Sequence, residues 1–170
     1  QPAAAQLQQL LERNLHCPPT TSLGRWFDAA AGLLGARQVM AYEGQAAMLL
    51  EGLAEGAGDM AALEDGYRLD EAGRLDLMPL LACLVDEADP ARGAVLFHAT
   101  LARGLAEWTL RAARDSGLKT VAFGGGCFLN HILSRQLRRH LSDAGMTVLE
   151  AGQVPPNDGG LSLGQAWVAM

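Results

Sequence analysis

The residues best suited to chemistry lie late in the chain. A short apolar run, Thr120-Val121-Ala122-Phe123, leads into Gly124-Gly125-Gly126 and then into a helix-forming stretch from Asn130. Glycines let a bound group approach the main chain closely. A strand, a glycine loop and a helix in that order put free backbone N–H groups at a positive helix end, which suits a phosphate or a nucleotide. The pattern is not a Walker A loop, since no G-K-[ST] follows. It is not G-x-G-x-x-G either, since Leu129 stands where the last glycine would be. A tight turn needing positive φ would use the same glycines. Further on, Asn157-Asp158-Gly159-Gly160 follows a second apolar run, Met146–Leu149. Ligands of open α/β sheets bind outside the carboxyl ends of the strands, so Gly124, Gly125, Gly126 and Asp158 are expected to face one ligand. Capping of the last helix by Asn157 or Asp158 is the alternative.

Other candidates are weaker. In Ser22-Leu23-Gly24-Arg25-Trp26-Phe27-Asp28, Arg25 is either a bidentate grip for phosphate or carboxylate, or a solvated residue at the start of an amphipathic helix. In Tyr42-Glu43-Gly44-Gln45-Ala46-Ala47, Glu43 suits a helix N-terminus. His16, His98, His131 and His140 form neither H-x-x-x-H nor H-E-x-x-H, so no self-contained metal site is expected. His98 lies in an apolar helix and reads as a satisfied core or interface residue. Cys127 follows the glycine loop, where a small buried hydrophobe fits better than a nucleophile, since the one base near it in sequence is His131. The cysteines, Cys17, Cys83 and Cys127, are odd in number and far apart, with no C-x-x-C. That disfavours a disulfide framework or zinc ribbon and fits reduced thiols in a cytoplasmic protein.

The elements that must position these residues are mostly helices. Helices are expected over Ala3–Asn14, from a Thr20, Thr21 or Ser22 cap to about Leu34, and from near Glu43 to Glu55. A hairpin is expected around Asp70–Gly73, then helices over Leu77–Glu87 and from Asp89-Pro90 to about Asp115. Strands at Thr120–Phe123 and Met146–Leu149 flank a helix over Asn130–Ala144, and a last helix runs from Leu161 to Ala169. The two strands are expected to be parallel with a right-handed crossover. Two strands do not make a stable parallel sheet alone, so either the N-terminal half adds strands or further chain completes the sheet.

Composition limits the possible functions. The chain has 170 residues, 49% of them hydrophobic and only 5% aromatic, which leaves Leu and Ala to build the core and favours helix. Thirteen Lys+Arg against 19 Asp+Glu give a net charge of -6, a surface that repels nucleic-acid backbones. Mean hydropathy is +0.09, and no apolar run reaches the ~20 residues of a membrane span. Gln1-Pro2-Ala3 opens neither a basic n-region nor an apolar h-region, so no signal peptide is expected. The sequence does not begin with Met, which is expected of a processed or trimmed chain or of a piece of a longer protein.

Five ordered blocks carry a more specific signal: S-L-G-R-W-F-D-A-A-A (Ser22–Ala31), Y-E-G-Q-A-A-M-L-L-E (Tyr42–Glu51), F-H-A-T-L-A (Phe97–Ala102), G-G-C-F-L-N (Gly125–Asn130) and P-P-N-D-G-G-L-S-L-G-Q-A (Pro155–Ala166). Together they resemble the C-terminal end of HypF, the carbamoyltransferase family of nickel–iron hydrogenase maturation, from about Pro18 to Met170. The resemblance implies a cytoplasmic, multidomain protein with acylphosphatase-like, zinc-finger, YrdC-like and TsaD-like parts. This chain is similar to the last part of the TsaD-like domain. The implied fold is helix-rich α/β, part of a lobe of the actin/Hsp70/hexokinase (ribonuclease H-like) class with a short parallel sheet. The chain then reads as one domain over 1–170, mostly helical over 1–90, with the strand, glycine loop, helix, strand, loop and helix over 91–170.

What the resemblance implies about activity is equally definite. The family forms carbamoyl-adenylate from carbamoyl phosphate and ATP. It then carbamoylates the C-terminal cysteine of HypE, on the route to the cyanide ligands of the hydrogenase iron. Gly125, Gly126 and Asn130 match the glycine loop and the Asn that hold the nucleotide, with Gly124 beside them. Thr21, just ahead of the first block, and Ser22, Gly24, Arg25, Asp28 and Glu43 within the blocks are assigned to nucleotide or substrate binding, and Asp158 matches a metal-ligating Asp. ATP with magnesium is implied. So is a divalent metal, iron or zinc, shared with upstream histidines that this chain lacks; a single carboxylate leaves most of such an ion's shell to water. A HypE-type acceptor and the rest of the polypeptide are the implied partners, with no nucleic acid and no membrane. Thr21 stands where TsaD relatives carry Asp, and Arg25 where they carry an acidic residue, which favours HypF over the tRNA-modifying branch. A TsaD-like or O-carbamoyltransferase relative, or a non-enzymatic nucleotide-binding remnant, are the alternatives. As part of HypF the chain would be inactive alone.

Overall fold

Asp89 starts the helix around which the chain is organised in a computed structural model that describes residues 2–37 and 39–170. Its carboxylate accepts from Ala91 N (3.0 Å) and Arg92 N (3.4 Å), and Pro90 supplies a preset φ at the first helical position. The resulting helix, α5 (Pro90–Ser116), ends at Gly117, whose φ of 71° is left-handed. Along its length α5 buries Phe97, His98 and Leu101 among small residues such as Ala94, Ala99, Ala102 and Gly104. Small side chains let neighbours approach from several directions. Accordingly α2 (Leu23–Leu33), α3 (Gln45–Glu55), α4 (Met78–Val85) and α6 (His131–Asp143) all pack on α5. One buried cluster runs from Phe27 and Leu50 through Leu80, Phe97 and Leu101 to Leu133 and Leu141. Burial of this kind is the main favourable term in folding.

A hairpin of β1 (Arg68–Leu69) and β2 (Leu75–Asp76) is clamped onto α5 by Trp108 Nε1 donating to Gly73 O (2.7 Å) and by Arg111 donating to the carbonyls of Asp70 and Glu71. The preceding loop crosses α5 at Thr100, whose hydroxyl accepts from Leu63 N (3.0 Å). A Cβ on Gly66 would lie 2.3 Å from Thr100 Cγ2 and 2.9 Å from Leu63 Cβ. Gly66→Ala is therefore expected to overpack the crossing, costing about 2 kcal/mol and lowering Tm by roughly 5 °C in a thermal melt followed by circular dichroism.

The C-terminal part holds β3 (Thr120–Ala122) and β4 (Thr147–Leu149), paired in parallel with Thr120, Val121 and Ala122 opposite Thr147, Val148 and Leu149. They are connected through α6. The N-terminal half adds no strand to this pair, since its hairpin forms a separate sheet. The described residues therefore hold a helix-rich α/β arrangement with a two-stranded parallel sheet.

Several boundaries differ from the expected ones. α1 (Pro2–Glu12) stops before the prolines, because Asn14 and His16 adopt left-handed φ of 50° and 57°. Neither Thr20, Thr21 nor Ser22 caps α2 with a side chain; Thr20 Oγ1 accepts from Ser22 N (3.1 Å) instead. α3 begins at Gln45, after Gly44 at φ 81°, so Glu43 lies outside its first turn and does not serve the helix dipole there. α7 (Leu161–Val168) packs mainly on the turn before it and leaves Leu161, Leu163, Trp167 and Val168 exposed. Among the described residues no helix is long and apolar enough to cross a membrane.

Candidate functional site

The loops after β3 and β4 meet at the carboxyl edge of the sheet. Gly125 N donates to Pro156 O (2.6 Å), and a Cβ on Gly126 would lie 3.9 Å from Asn157 Cβ. Gly125 has φ 107° and ψ 160°, a region that belongs to glycine. The next residues, Gly126–Leu129, form a single turn of 3-10 helix before α6. Phe123 and Phe128 stack across this loop at 4.4 Å. The amides of Gly124, Gly126 and Cys127 carry no hydrogen bond to another described residue. All three glycines are exposed. Unpaired N–H groups on a glycine turn are donors available to an anion.

The first turn of α6, by contrast, is closed. Asn130 Oδ1 accepts from Leu133 N (2.8 Å), and Asn130 O accepts from Ser134 N (3.0 Å). Glu51 Oε1, from α3, accepts from His131 N (2.5 Å) and Ile132 N (3.3 Å). This corrects the expectation of free N–H groups at that helix end: every amide of the first turn has a protein acceptor. Asn130 is itself buried, and its Nδ2 lies 3.1 Å from His98 Nε2. The other imidazole nitrogen, Nδ1, lies 2.8 Å from Ala94 O, which only accepts. Nδ1 therefore carries the proton and Nε2 accepts from Asn130. Burial pushes the His98 pKa down to about 4, while the Ala94 bond works the other way. His98 is fully buried against the rings of Phe27 and Phe97, which also pack on each other, and it is a satisfied core histidine.

On the other side, α2 packs against the 126–129 turn. Arg25 Nη2 lies 2.9 Å from Asp28 Oδ2 but not along a hydrogen-bond direction, so this buried oxygen has an ion-pair contact and no hydrogen bond. The Cys127 thiol is half-buried, and its pKa is raised first by burial and then by the charge of Asp28. That is the opposite of an activated nucleophile. Thus Asp28, and Arg25 through it, stand beside the glycine loop. Thr21 and Ser22 lie exposed ahead of α2, Gly24 sits half-buried in its first turn, and Glu43 is exposed in the loop before α3.

In the second loop, Asn157 Oδ1 accepts from Gly159 N (3.1 Å) and caps the short turn Asp158–Gly160. That leaves the Asp158 carboxylate exposed and unengaged by any described residue. An open cleft of about 800 Å³ separates this loop from α7, lined by Gly125, Pro155, Asp158, Leu161, Gln165 and Val168. Among the described residues no three His, Cys, Asp or Glu side chains converge as a metal site. The described residues by themselves do not assemble a metal centre.

Comparison with known proteins accounts for this arrangement. The family model described as the second subdomain of the Kae1-like domain of carbamoyltransferases, HypF type, matches residues 1–165. The chain belongs to the HypF carbamoyltransferase family. It is 50% identical to carbamoyltransferase HypF2 of Cupriavidus necator over 196 aligned positions, covering 100% of this chain and 24% of that protein. It is 42% identical to carbamoyltransferase HypF of Rhizobium leguminosarum bv. viciae, covering 94% of this chain and 21% of that one. A crystal structure of full-length HypF in a phosphate- and nucleotide-bound form superposes with a TM-score of 0.85 at 31% identity, over 98% of this chain and 22% of that one. The chain thus spans less than a quarter of the length of these HypF relatives. The fold is that of the HypF Kae1-like domain, of ribonuclease H-like class.

Within this HypF segment, sequence reasoning missed Glu51 as part of the site. It is the last residue of the Tyr42–Glu51 block, but nothing local signals a bond to an amide 80 residues later. Its one sequence cue is position: it follows Leu50 and precedes Ala54 by three, both buried, so it borders the packed face of α3.

Proposed function

We propose that this chain contributes one wall of the catalytic cleft of a HypF-type carbamoyltransferase. Such an enzyme makes carbamoyl-adenylate from carbamoyl phosphate and ATP, releasing inorganic phosphate and pyrophosphate, and then carbamoylates the C-terminal cysteine of a HypE-type partner, releasing AMP. On this reading the product serves cyanide-ligand synthesis for a nickel–iron hydrogenase, in the cytoplasm. The observation that supports it most is the bond from Gly125 N to Pro156 O, which ties both strand-end loops together, in a loop where the amides of Gly124, Gly126 and Cys127 carry no hydrogen bond to another described residue. A solved HypF described as phosphate- and nucleotide-bound shares this fold.

The chemistry asked of these residues is modest. Adenylate formation expels pyrophosphate, so negative charge grows on phosphate oxygens. Fixed N–H dipoles stabilise such charge without reorganising. Asp28 Oδ2, ion-paired with Arg25 but accepting no hydrogen bond, and the Asp158 carboxylate are acceptors, suited to N–H or O–H groups of a substrate or to a cation. No nucleophile from this chain is required, which is consistent with the raised pKa of Cys127. Magnesium arriving with ATP, and an iron or zinc ion sharing Asp158 with histidines from elsewhere in the polypeptide, belong to the same proposal.

The test is carbamoyl-phosphate-dependent ATP–pyrophosphate exchange, run on this chain and on the chain joined to the upstream part of a HypF relative. Exchange is expected only in the longer protein. There, Asp158→Ala should cut the rate by on the order of 10- to 100-fold, the loss typical of removing even an outer partner of a metal site. Exchange in the short chain would mean that the site is complete here. Silence in both would favour a non-enzymatic nucleotide-binding module.

A further inference from the structure

A helix N-terminus attracts anions through its dipole and its unpaired amides. At α6 the protein has placed one of its own anions there. Glu51 Oε1 accepts from His131 N at 2.5 Å and from Ile132 N at 3.3 Å, and Asn130 takes the remaining amides of the turn. We infer that Glu51 is a positioning and specificity residue: its carboxylate fills the α6 N-terminus, excludes phosphate from it, and confines phosphate to the amides of Gly124, Gly126 and Cys127. The inference rests on the reading that those glycine-loop amides take phosphate.

Three observations carry it. The amide accounting is complete on α6 and incomplete on the glycine loop, although only Phe128, Leu129 and Asn130 lie between Cys127 and α6. The carboxylate is held in place by the fold, since Leu50 and Ala54 bury the flanking face of α3 and Glu51 itself is partly buried. The turn is also pinned from its far side. His98 accepts from Asn130 Nδ2 at 3.1 Å, and Ser134 Oγ donates to Phe128 O at 3.0 Å. Two neighbouring anion sites would let a polyphosphate bind in two registers. Filling one with a fixed carboxylate leaves a single register, and its negative charge repels phosphate from the wrong one.

The experiment uses the 15N-labelled chain titrated with inorganic phosphate, followed by backbone amide shifts. In the unsubstituted chain the amides of Gly124, Gly126 and Cys127 should move, and those of His131 and Ile132 should not. Glu51→Ala should give both His131 and Ile132 a saturable shift that the parent lacks. Glu51→Gln keeps an acceptor and the fold, and it should show the same shift with a midpoint several-fold higher than Glu51→Ala. Movement of His131 and Ile132 in the parent at the same phosphate as the glycine loop would overturn the inference. So would their silence in Glu51→Ala. If that variant does not fold, their silence in Glu51→Gln overturns it in the same way. Silence of the glycine-loop amides in the parent counts against the phosphate reading, whereas a gain at His131 and Ile132 in Glu51→Ala still upholds exclusion by Glu51.

Discussion

His98→Ala is expected to destabilise the fold by about 3–5 kcal/mol. Two terms add. Truncating a fully buried ring leaves a cavity beside Phe27 and Phe97. It also orphans the buried Asn130 Nδ2, which costs about 1–3 kcal/mol on its own. At two to four degrees per kcal/mol for a chain of this size, Tm should fall by roughly 10 °C. The same residue predicts a pH dependence. Its pKa falls to about 4 on folding, from an ordinary value of 6.5. Between those values the unfolded chain binds the proton and the folded one does not. Stability is therefore full above about pH 6.5 and declines as pH falls towards 4, by about 3 kcal/mol in all. His98→Met, similar in volume and without a titrating group, should flatten that part of the stability curve in urea melts. A Tm within two or three degrees of the parent for His98→Ala would remove the His98–Asn130 pair as a structural determinant.

Gly125→Ala should do its largest damage to function. The space around Gly125 is open, so a methyl group meets nothing within 4 Å. The cost is in the backbone: φ 107° with ψ 160° strains any residue with a Cβ by about 1–3 kcal/mol. If the backbone relaxes to negative φ, the N–H turns away from Pro156 O and the two strand-end loops separate. Tm should therefore drop by only a few degrees, whereas ATP–pyrophosphate exchange in the longer protein should fall by about 100-fold. A misplacement near 1 Å at a reacting group is enough for a loss of that size. An unchanged exchange rate alongside a lowered Tm would show that the Gly125–Pro156 bond does not set the site.

Much of the site was legible from residue order. A strand, a glycine run and a helix, followed by a second strand and a Pro-Pro-Asn-Asp-Gly-Gly loop, place both loops on one sheet edge once the strands are parallel. The bond between Gly125 and Pro156 realises that placement. The role of Asn157 was half-legible. Capping by Asn157 or Asp158 was foreseeable, but the local fold gives the cap to Asn157 and leaves Asp158 exposed. The acidic helix start at Glu43 was misread, because Gly44 adopts a left-handed φ and delays α3 to Gln45. Capping geometry depends on a few degrees of φ, which residue type biases without dictating.

The sequence by itself determined the elements whose cause is local. Asp89-Pro90 starts α5 and Gly117 ends it. The ordered family blocks likewise pointed to HypF. Only the tertiary structure decided which groups the loops leave free. Glu51 reaches α6 across 80 residues, and His98 reaches Asn130 across 32. Such bonds depend on how α3, α5 and α6 pack, and packing is set by the whole apolar surface at once rather than by any local window. The physical consequence is a reversal: the helix end that the sequence marks as an anion site is filled by the protein's own carboxylate, and the donors that stay open are those of the glycine turn beside it.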